Sequence, residues 1–246
     1  MIVGIAGEVV VRAVSSGSKM SLQTRIRRLM DGSPAQADAE RAAESLRRLA
    51  RWLVSHDAND SGVGTLAAGL ASVEDSLAHH DTRSRFSGPG ARSDLAAKGG
   101  DSFHPNRRST HPLLGRANPV APPIALRVEG DHVVGDLVFD AAHEGIPGCA
   151  HGGYIAAGFD IVLLQAATRS PLGGGVTGTL EIRYVGLTPT DEPLCYEARL
   201  DRTEGRKIYA EGWLRTNPPQ GGGAESRVTA RAFGVFVAAA PEGGGS

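Results

Sequence analysis

Apolar residues recur at helical spacing in two segments of the N-terminal half of the chain. Residues 34–56 carry one such stripe, which predicts an amphipathic helix. Pro34 suits the first turn of this helix, and Asp31 or Ser33 suits the cap before it. A second stripe predicts a helix over about residues 64–79. The stripes consist of Ala43, Leu46, Leu49, Ala50 and Leu53 in the first helix and Leu66, Leu70, Val73 and Leu77 in the second.

The pattern changes twice after these helices. Residues 84–110 lack a period and are rich in Gly, Ser and charge, which predicts a linker or a long surface excursion. Beyond residue 111, short alternating segments indicate strands, and a Gly-Asp pair at 130–131 predicts a hairpin turn. The predicted strands are Ile124–Glu129, His132–Phe139, Val176–Val185, Leu194–Thr203, Lys207–Thr216 and Arg227–Ala239.

One segment of the C-terminal half, residues 151–168, is too long and too evenly apolar for a strand. A helix that is apolar nearly all round is buried. The order of two strands, one buried helix and a run of strands predicts an α+β fold, in which an antiparallel sheet wraps around the helix. We therefore expect an N-terminal helical extension and linker over residues 1–110, this α+β domain over 111–240, and a disordered tail over 241–246.

Composition narrows the classes of protein. The chain has 246 residues, 41% of them hydrophobic, and a formal net charge of −1, which gives no sign of nucleic-acid binding. No apolar run reaches the roughly 20 residues of a membrane-spanning helix, and the N-terminus lacks the basic region of a signal peptide. Either Met1 or Met20 could be the start. Cys149 and Cys195 suit neither a disulfide framework nor a metal site, so we expect a cytoplasmic protein without bound metal.

Asp160 is the residue that breaks the pattern of the buried helix. An unpaired carboxylate among apolar side chains costs several kcal/mol, so Asp160 needs a partner, a water-lined cleft or a raised pKa. A satisfied structural carboxylate is one interpretation. A functional carboxylate is the other, because local rules are most often broken at functional sites.

The start of the same helix, His151-Gly152-Gly153, suits an anion or a developing oxyanion. Its first N–H groups have no partner within the helix, and glycines let a ligand approach the backbone closely. His151 and Asp160 are nine residues apart, roughly half a turn beyond two full turns and about 13 Å along the axis. They therefore lie on opposite faces, and a site that uses both would combine two subunits.

These residues resemble the hotdog-fold thioesterases, in particular the branch with phenylacetate-pathway and THEM-type acyl-CoA thioesterases. The resemblance covers roughly residues 111–240. It is carried by the loop EGIPGCAHGG, by an Asp nine positions after the His, by the strand VTGTLEIRYVGLTP and by the turn EGRK. HPLLGRANPVAPPIAL, farther upstream, also resembles the opening of such domains. This branch does not have residues 1–110 as a standard part, and Ile161 stands where many hotdog enzymes have a second acidic or polar residue.

The resemblance implies a homodimer or homotetramer that hydrolyses acyl-CoA without a further cofactor, because CoA is part of the substrate. It implies Asp160 as the general base or the nucleophile, and the Gly153 N–H as the group that polarises the thioester carbonyl. His151 would order the loop, Gly152 would allow close approach, and Thr177 would assist the carboxylate or its water. The turn residues Arg206 and Lys207 could meet the CoA phosphates.

Plainer interpretations stay open for several of these residues. His151 could serve only as a hydrogen-bonding residue at the start of the helix. Thr177 could be only a strand residue on the polar face, and Arg206 with Lys207 could be only a solvated hairpin tip. Cys149 lacks the partners of a cysteine nucleophile. A hydratase or dehydratase would need an Asp/His pair within one motif, which the sequence lacks. An acyl-CoA-binding sensor or scaffold without catalysis is the main alternative, and an interaction role of the N-terminal helices is another.

Overall fold

The structure is a computed structural model, and it describes residues 34–80, 111–122, 124–217 and 225–240. The helix caps at Asp31 and Ser33, the two candidate starts, the linker over 84–110 and the tail over 241–246 all lie outside these residues. In the part of the chain that is described, no helix is long and apolar enough to cross a membrane.

Two helices form the described N-terminal part: α1, Pro34–Val54, and α2, Ser61–Leu77. Both lie where the sequence predicts helices. Asp60 caps α2 by accepting a hydrogen bond from the Gly62 N–H at 2.7 Å. The buried face of α1 differs from its apolar stripe, because only Ala43 of that stripe is buried, and Leu46, Leu49 and Leu53 are exposed. The helix lies against the rest of the protein through polar side chains instead.

The C-terminal part is an antiparallel six-stranded sheet in the order β1-β2-β6-β7-β8-β5. Gly130, at φ +61°, closes the predicted hairpin between β1 and β2. A short 3₁₀ helix, Ala141–His143, and two short paired strands, β3 and β4, precede the long helix and were not predicted. The strands are β1 Ala125–Glu129, β2 His132–Leu137, β3 Glu144–Ile146, β4 Cys149–Ala150, β5 Val176–Tyr184, β6 Leu194–Glu204, β7 Lys207–Thr216 and β8 Val228–Val237.

The long helix α3, Gly152–Ala167, packs across one face of this sheet, as the sequence predicts. Its side chains Phe159, Val162 and Leu163 are completely buried among those of β2, β6, β7 and β8. Glycine at 158 lets the buried ring of Tyr196 approach the helix, since a Cβ there would lie 2.3 Å from the Tyr196 hydroxyl oxygen. That hydroxyl donates to the Ile155 carbonyl at 3.0 Å. The result is the sheet-wrapped helix of a hotdog fold.

Candidate active site

His151 is the N-cap of α3. Its backbone is extended, its carbonyl accepts from the N–H groups of Tyr154 and Ile155, and its Nδ1 accepts from the Gly153 N–H at 3.0 Å. A neutral imidazole that accepts at Nδ1 carries its proton on Nε2. The N–H that the resemblance assigns to the thioester carbonyl is therefore bonded to the His151 ring in this structure.

Two loops hold His151 in place. The first runs from the 3₁₀ helix to β4, and its His143 carbonyl accepts from the His151 N–H at 2.8 Å. The second joins β5 to β6, and its Thr188 carbonyl accepts from the Ala150 N–H at 2.9 Å. The loops are also bonded to each other, since the Thr190 N–H donates to the Gly148 carbonyl at 3.0 Å. The entry to α3 is therefore fixed from both sides.

Asp160 lies two turns along α3 and is half-buried. The Thr177 hydroxyl donates to Asp160 Oδ1 at 2.7 Å. This charge-assisted bond is the partner that a carboxylate in an apolar helix needs. It occupies Oδ1 and leaves Oδ2 as the oxygen that can accept a proton from water. The structure thus joins two of the residues that the resemblance singles out.

Thr177 reaches Asp160 because strand β5 is irregular. Simple alternation puts Thr177 on the polar face with Thr179 and Glu181, which was one interpretation of the sequence. The pairing of β5 with β8 shifts register between Thr177 and Thr179, so Gly178 forms a bulge. The bulge turns Thr177 towards α3, the face on which Leu180 packs against the core. The assignment of Thr177 to the polar face is therefore wrong, and the glycine within the strand was the available signal.

Strand β5 also contacts the other end of the site. Its last residue, Tyr184, donates its hydroxyl to the Gly152 carbonyl at 2.8 Å. A Cβ at Gly152 would lie 3.1 Å from that hydroxyl oxygen, so any larger residue would crowd this contact. The sequence placed Tyr184 on a strand face and gave it no functional role. A single strand at the edge of the sheet thus contacts the carboxylate with one end and the N-terminus of α3 with the other.

The turn residues lie at the Thr177 end of the sheet. Lys207 is paired with Val237 of β8, and Val237 is paired in turn with Val176 of β5. The Arg206 guanidinium donates twice to the Ala238 carbonyl, at 2.8 and 3.0 Å, so it closes the end of β8. Lys207 is exposed. The two residues differ in that the Arg206 guanidinium is bonded to the backbone of the chain at Ala238.

The cysteines supply no further candidate group. Cys149 belongs to β4, and its backbone forms an isolated antiparallel β-bridge with that of Pro189, next to His151. Cys195 is buried in the sheet, and this burial raises the pKa of its thiol to about 12. Its thiol is therefore unsuited to react as a thiolate. Within the described ranges, no cluster of His, Cys, Asp and Glu is arranged to hold a metal ion.

No family model matches the sequence, but a curated protein and solved structures resemble the chain. The chain has the hotdog fold, and its resemblance to the thioesterase superfamily is confirmed. The human acyl-coenzyme A thioesterase THEM5 is 34% identical over 95 residues, which are 38% of this chain and 35% of the human protein. The match therefore spans about a third of that relative.

A solved structure extends the likeness beyond the α+β domain. A crystal structure of a thioesterase superfamily protein has 28% sequence identity and a TM-score of 0.62, and the match covers 81% of this chain and 94% of the solved one. Residues 111–240 make up only about half of the sequence. The structural match must therefore include part of the chain before residue 111.

Proposed function

We propose that the protein hydrolyses an acyl-CoA thioester to a free carboxylic acid and CoA. The contact between Thr177 and Asp160 carries the proposal, because it orients a carboxylate that a purely structural helix would not need. Asp160 Oδ2 takes a proton from water as the water oxygen attacks the thioester carbonyl carbon. The tetrahedral intermediate then expels the CoA sulfur, and the proton passes from Asp160 to that sulfur.

The N-terminus of α3 stabilises the negative oxygen of the intermediate. Unpaired N–H groups and the helix dipole there favour a negative charge. In this structure, His151 Nδ1 accepts from the Gly153 N–H. The thioester oxygen must therefore share that proton with the imidazole or displace the ring. This gives His151 a role in ordering the N–H before substrate arrives.

One subunit does not bring both halves of this site together, because Asp160 and Gly153 lie two turns apart on α3. We infer a homodimer formed by edge strand β5. This strand has nine residues, and no other strand in the described part of the chain pairs with its outer edge. Val176 is 72% exposed and Tyr184 52% exposed. An exposed strand edge normally requires cover. The contact would be isologous, with β5 of one subunit antiparallel to β5 of the other.

A two-fold axis near Glu181 would set Thr177 opposite Tyr184 of the partner subunit, because the bulge at Gly178 adds one residue to the strand. Thr177 is hydrogen-bonded to Asp160, and Tyr184 is hydrogen-bonded to the N-terminus of α3. The pairing would therefore bring the carboxylate of each subunit to the oxyanion site of the other and create two sites. Lys207 is at the same end of the sheet as Thr177, where it could meet the CoA phosphates. A tetramer would consist of two such dimers.

Release of CoA from a panel of short, long and aromatic acyl-CoAs tests the proposed activity. Turnover of at least one member is the expected result. Binding of acyl-CoA without release of CoA by any member would favour the alternative, an acyl-CoA sensor. That alternative has less support, because a binding protein would gain stability from an apolar residue in place of Asp160.

Thr177→Val should lower kcat roughly 10- to 100-fold, because the variant keeps the shape of the side chain and loses a hydrogen bond to a charged group. Thr177→Ser keeps the hydroxyl and should stay close to the wild type. Steady-state kinetics of both variants on the best acyl-CoA check the prediction. Equal activity of the valine and serine variants would show that the hydroxyl does not assist Asp160.

A further inference from the structure

We propose that Arg51, on the N-terminal helix α1, is a positioning residue for the oxyanion site at the start of α3. The inference rests on the proposed thioesterase function and gives the N-terminal helix a part in it. Arg51 is about 100 residues before the proposed site in the sequence. It touches neither Asp160 nor the Gly153 N–H. Its effect passes through the two loops that hold His151.

Helix α1 is fixed to the rest of the protein by a polar stripe at helical spacing. Arg47 donates to the Asn118 carbonyl at 2.9 Å and to the Arg116 carbonyl at 3.2 Å, and its side chain is only 13% exposed. Arg116 is paired in turn with Glu40, about two turns before Arg47. Arg51 is one turn farther along the same face. These contacts fix where the Arg51 guanidinium lies.

Arg51 joins the two loops. Its Nη2 donates to Asp191 Oδ1 at 2.6 Å, and its Nε lies 3.9 Å from Asp140 Oδ2. Asp191 belongs to the loop between β5 and β6, has φ +58°, and donates its N–H to the Phe139 carbonyl at 2.7 Å. A left-handed backbone at a residue other than glycine needs support from its surroundings. The contact with Arg51 supplies such support.

Asp140 connects Arg51 with the N-cap of α3 through His143. It caps the 3₁₀ helix by accepting from the Ala142 N–H, and it pairs with His143 Nδ1 at 2.7 Å, which lowers the pKa of the Asp140 carboxyl. The His143 carbonyl accepts from the His151 N–H. The His143 ring also packs edge-on against Tyr154 in the first turn of α3, with the ring centroids 4.8 Å apart. One ion-pair contact, between Arg51 and Asp140, and two hydrogen bonds thus connect Arg51 with His151.

The exposure of Arg51 distinguishes a positioning role in catalysis from a contribution to the stability of the fold. Its side chain is 49% exposed, and an ion pair at such a surface adds little to the free energy of unfolding. A small displacement of a catalytic group, in contrast, is costly, since a shift of about 1 Å can lower a rate about 100-fold. Loss of Arg51 should therefore change catalysis more than stability.

The test compares Arg51→Ala with Arg48→Ala in the full chain. Arg48 lies on the same helix, and its guanidinium contacts Glu44 and Ser45 of that helix. We expect Arg51→Ala to lower kcat about 10-fold with little change in KM or Tm, and Arg48→Ala to change none of them. Arg51→Lys should restore part of kcat. Asparagine at position 191 tolerates the left-handed backbone. In the Asp191→Asn background, Arg51→Ala should therefore lower kcat by a smaller factor than it does in the wild type.

Hydrogen exchange of residues 141–154 supplies a measurement that does not depend on turnover. We expect faster exchange in Arg51→Ala than in the wild type, and no change in Arg48→Ala. Unchanged exchange would overturn the inference even if the enzyme is active. Faster exchange with unchanged kcat, or a fall of kcat that only follows a fall of Tm, would also overturn it. If the wild type turns over no acyl-CoA, the proposed function fails, and exchange alone shows whether Arg51 holds the loops.

Discussion

Asp160→Asn is expected to lower kcat for acyl-CoA hydrolysis about 10²- to 10⁴-fold, the usual contribution of a general base. Asparagine has nearly the same shape and can still accept the Thr177 hydrogen bond through its amide oxygen. It has no basic oxygen that could take a proton from water. The proposed dimer and the unfolding temperature should be preserved, since the change removes a charge from an apolar helix and creates no cavity.

The control for this variant is Glu129→Gln, which makes the same chemical change at an exposed carboxylate on β1. Strand β1 is at the opposite edge of the sheet from β5. The control should keep the activity of the wild type. If Asp160→Asn also keeps it, with the same kcat on the best acyl-CoA, then Asp160 is a structural carboxylate and the mechanism is wrong.

Gly153→Val is expected to lower kcat/KM about 10²- to 10³-fold, as the loss of an oxyanion donor does. A Cβ at this position would lie 3.0 Å from His151 Nδ1. In the proposed mechanism it would obstruct the approach of the substrate carbonyl oxygen to the Gly153 N–H. The variant should fold, since valine costs a helix only a few tenths of a kcal/mol relative to other residues. Kinetics and circular dichroism of the purified variant provide the check.

Gly69→Val is the matched control, because a Cβ at Gly69 in helix α2 would meet no atom within 4 Å. Its kinetics should be those of the wild type. Full activity of Gly153→Val would mean that the thioester carbonyl does not approach the first turn of α3. The oxyanion donor would then have to be sought elsewhere.

Most of the fold could be predicted from hydrophobic periodicity. The bounds of β7 were predicted to the residue, and those of α3 are one residue inside the predicted segment at each end. Periodicity works here because α3 and the central strands bury their apolar side chains in one core. For α1 it predicted the helix but not the face that contacts the rest of the protein, because Leu46 and Leu49 are exposed. That helix is attached by hydrogen bonds and ion pairs, and charged residues on a helix give no sign of which of them are used.

The candidate site was predictable in part. Asp160 and the glycines at the start of α3 break the rules of a buried helix, so the sequence alone indicated them. The loops around His151 could not be predicted, because their bonds join residues far apart in the chain, such as Ala150 and Thr188. The direction of Thr177 depends on a bulge, and a bulge shifts alternation by one residue. Tyr184 gave no signal at all.

Mixing two inactive variants tests the central claim, that the carboxylate and the oxyanion site come from different subunits. Asp160→Asn and Gly153→Val are purified separately, unfolded together at equal amounts, refolded, and assayed for CoA release. If the site spans two subunits, half of the dimers are mixed and each has one intact site, so about a quarter of wild-type activity should return. Activity in the mixture that stays at the level of the separate variants, with mixed dimers present by mass spectrometry, would contradict the account.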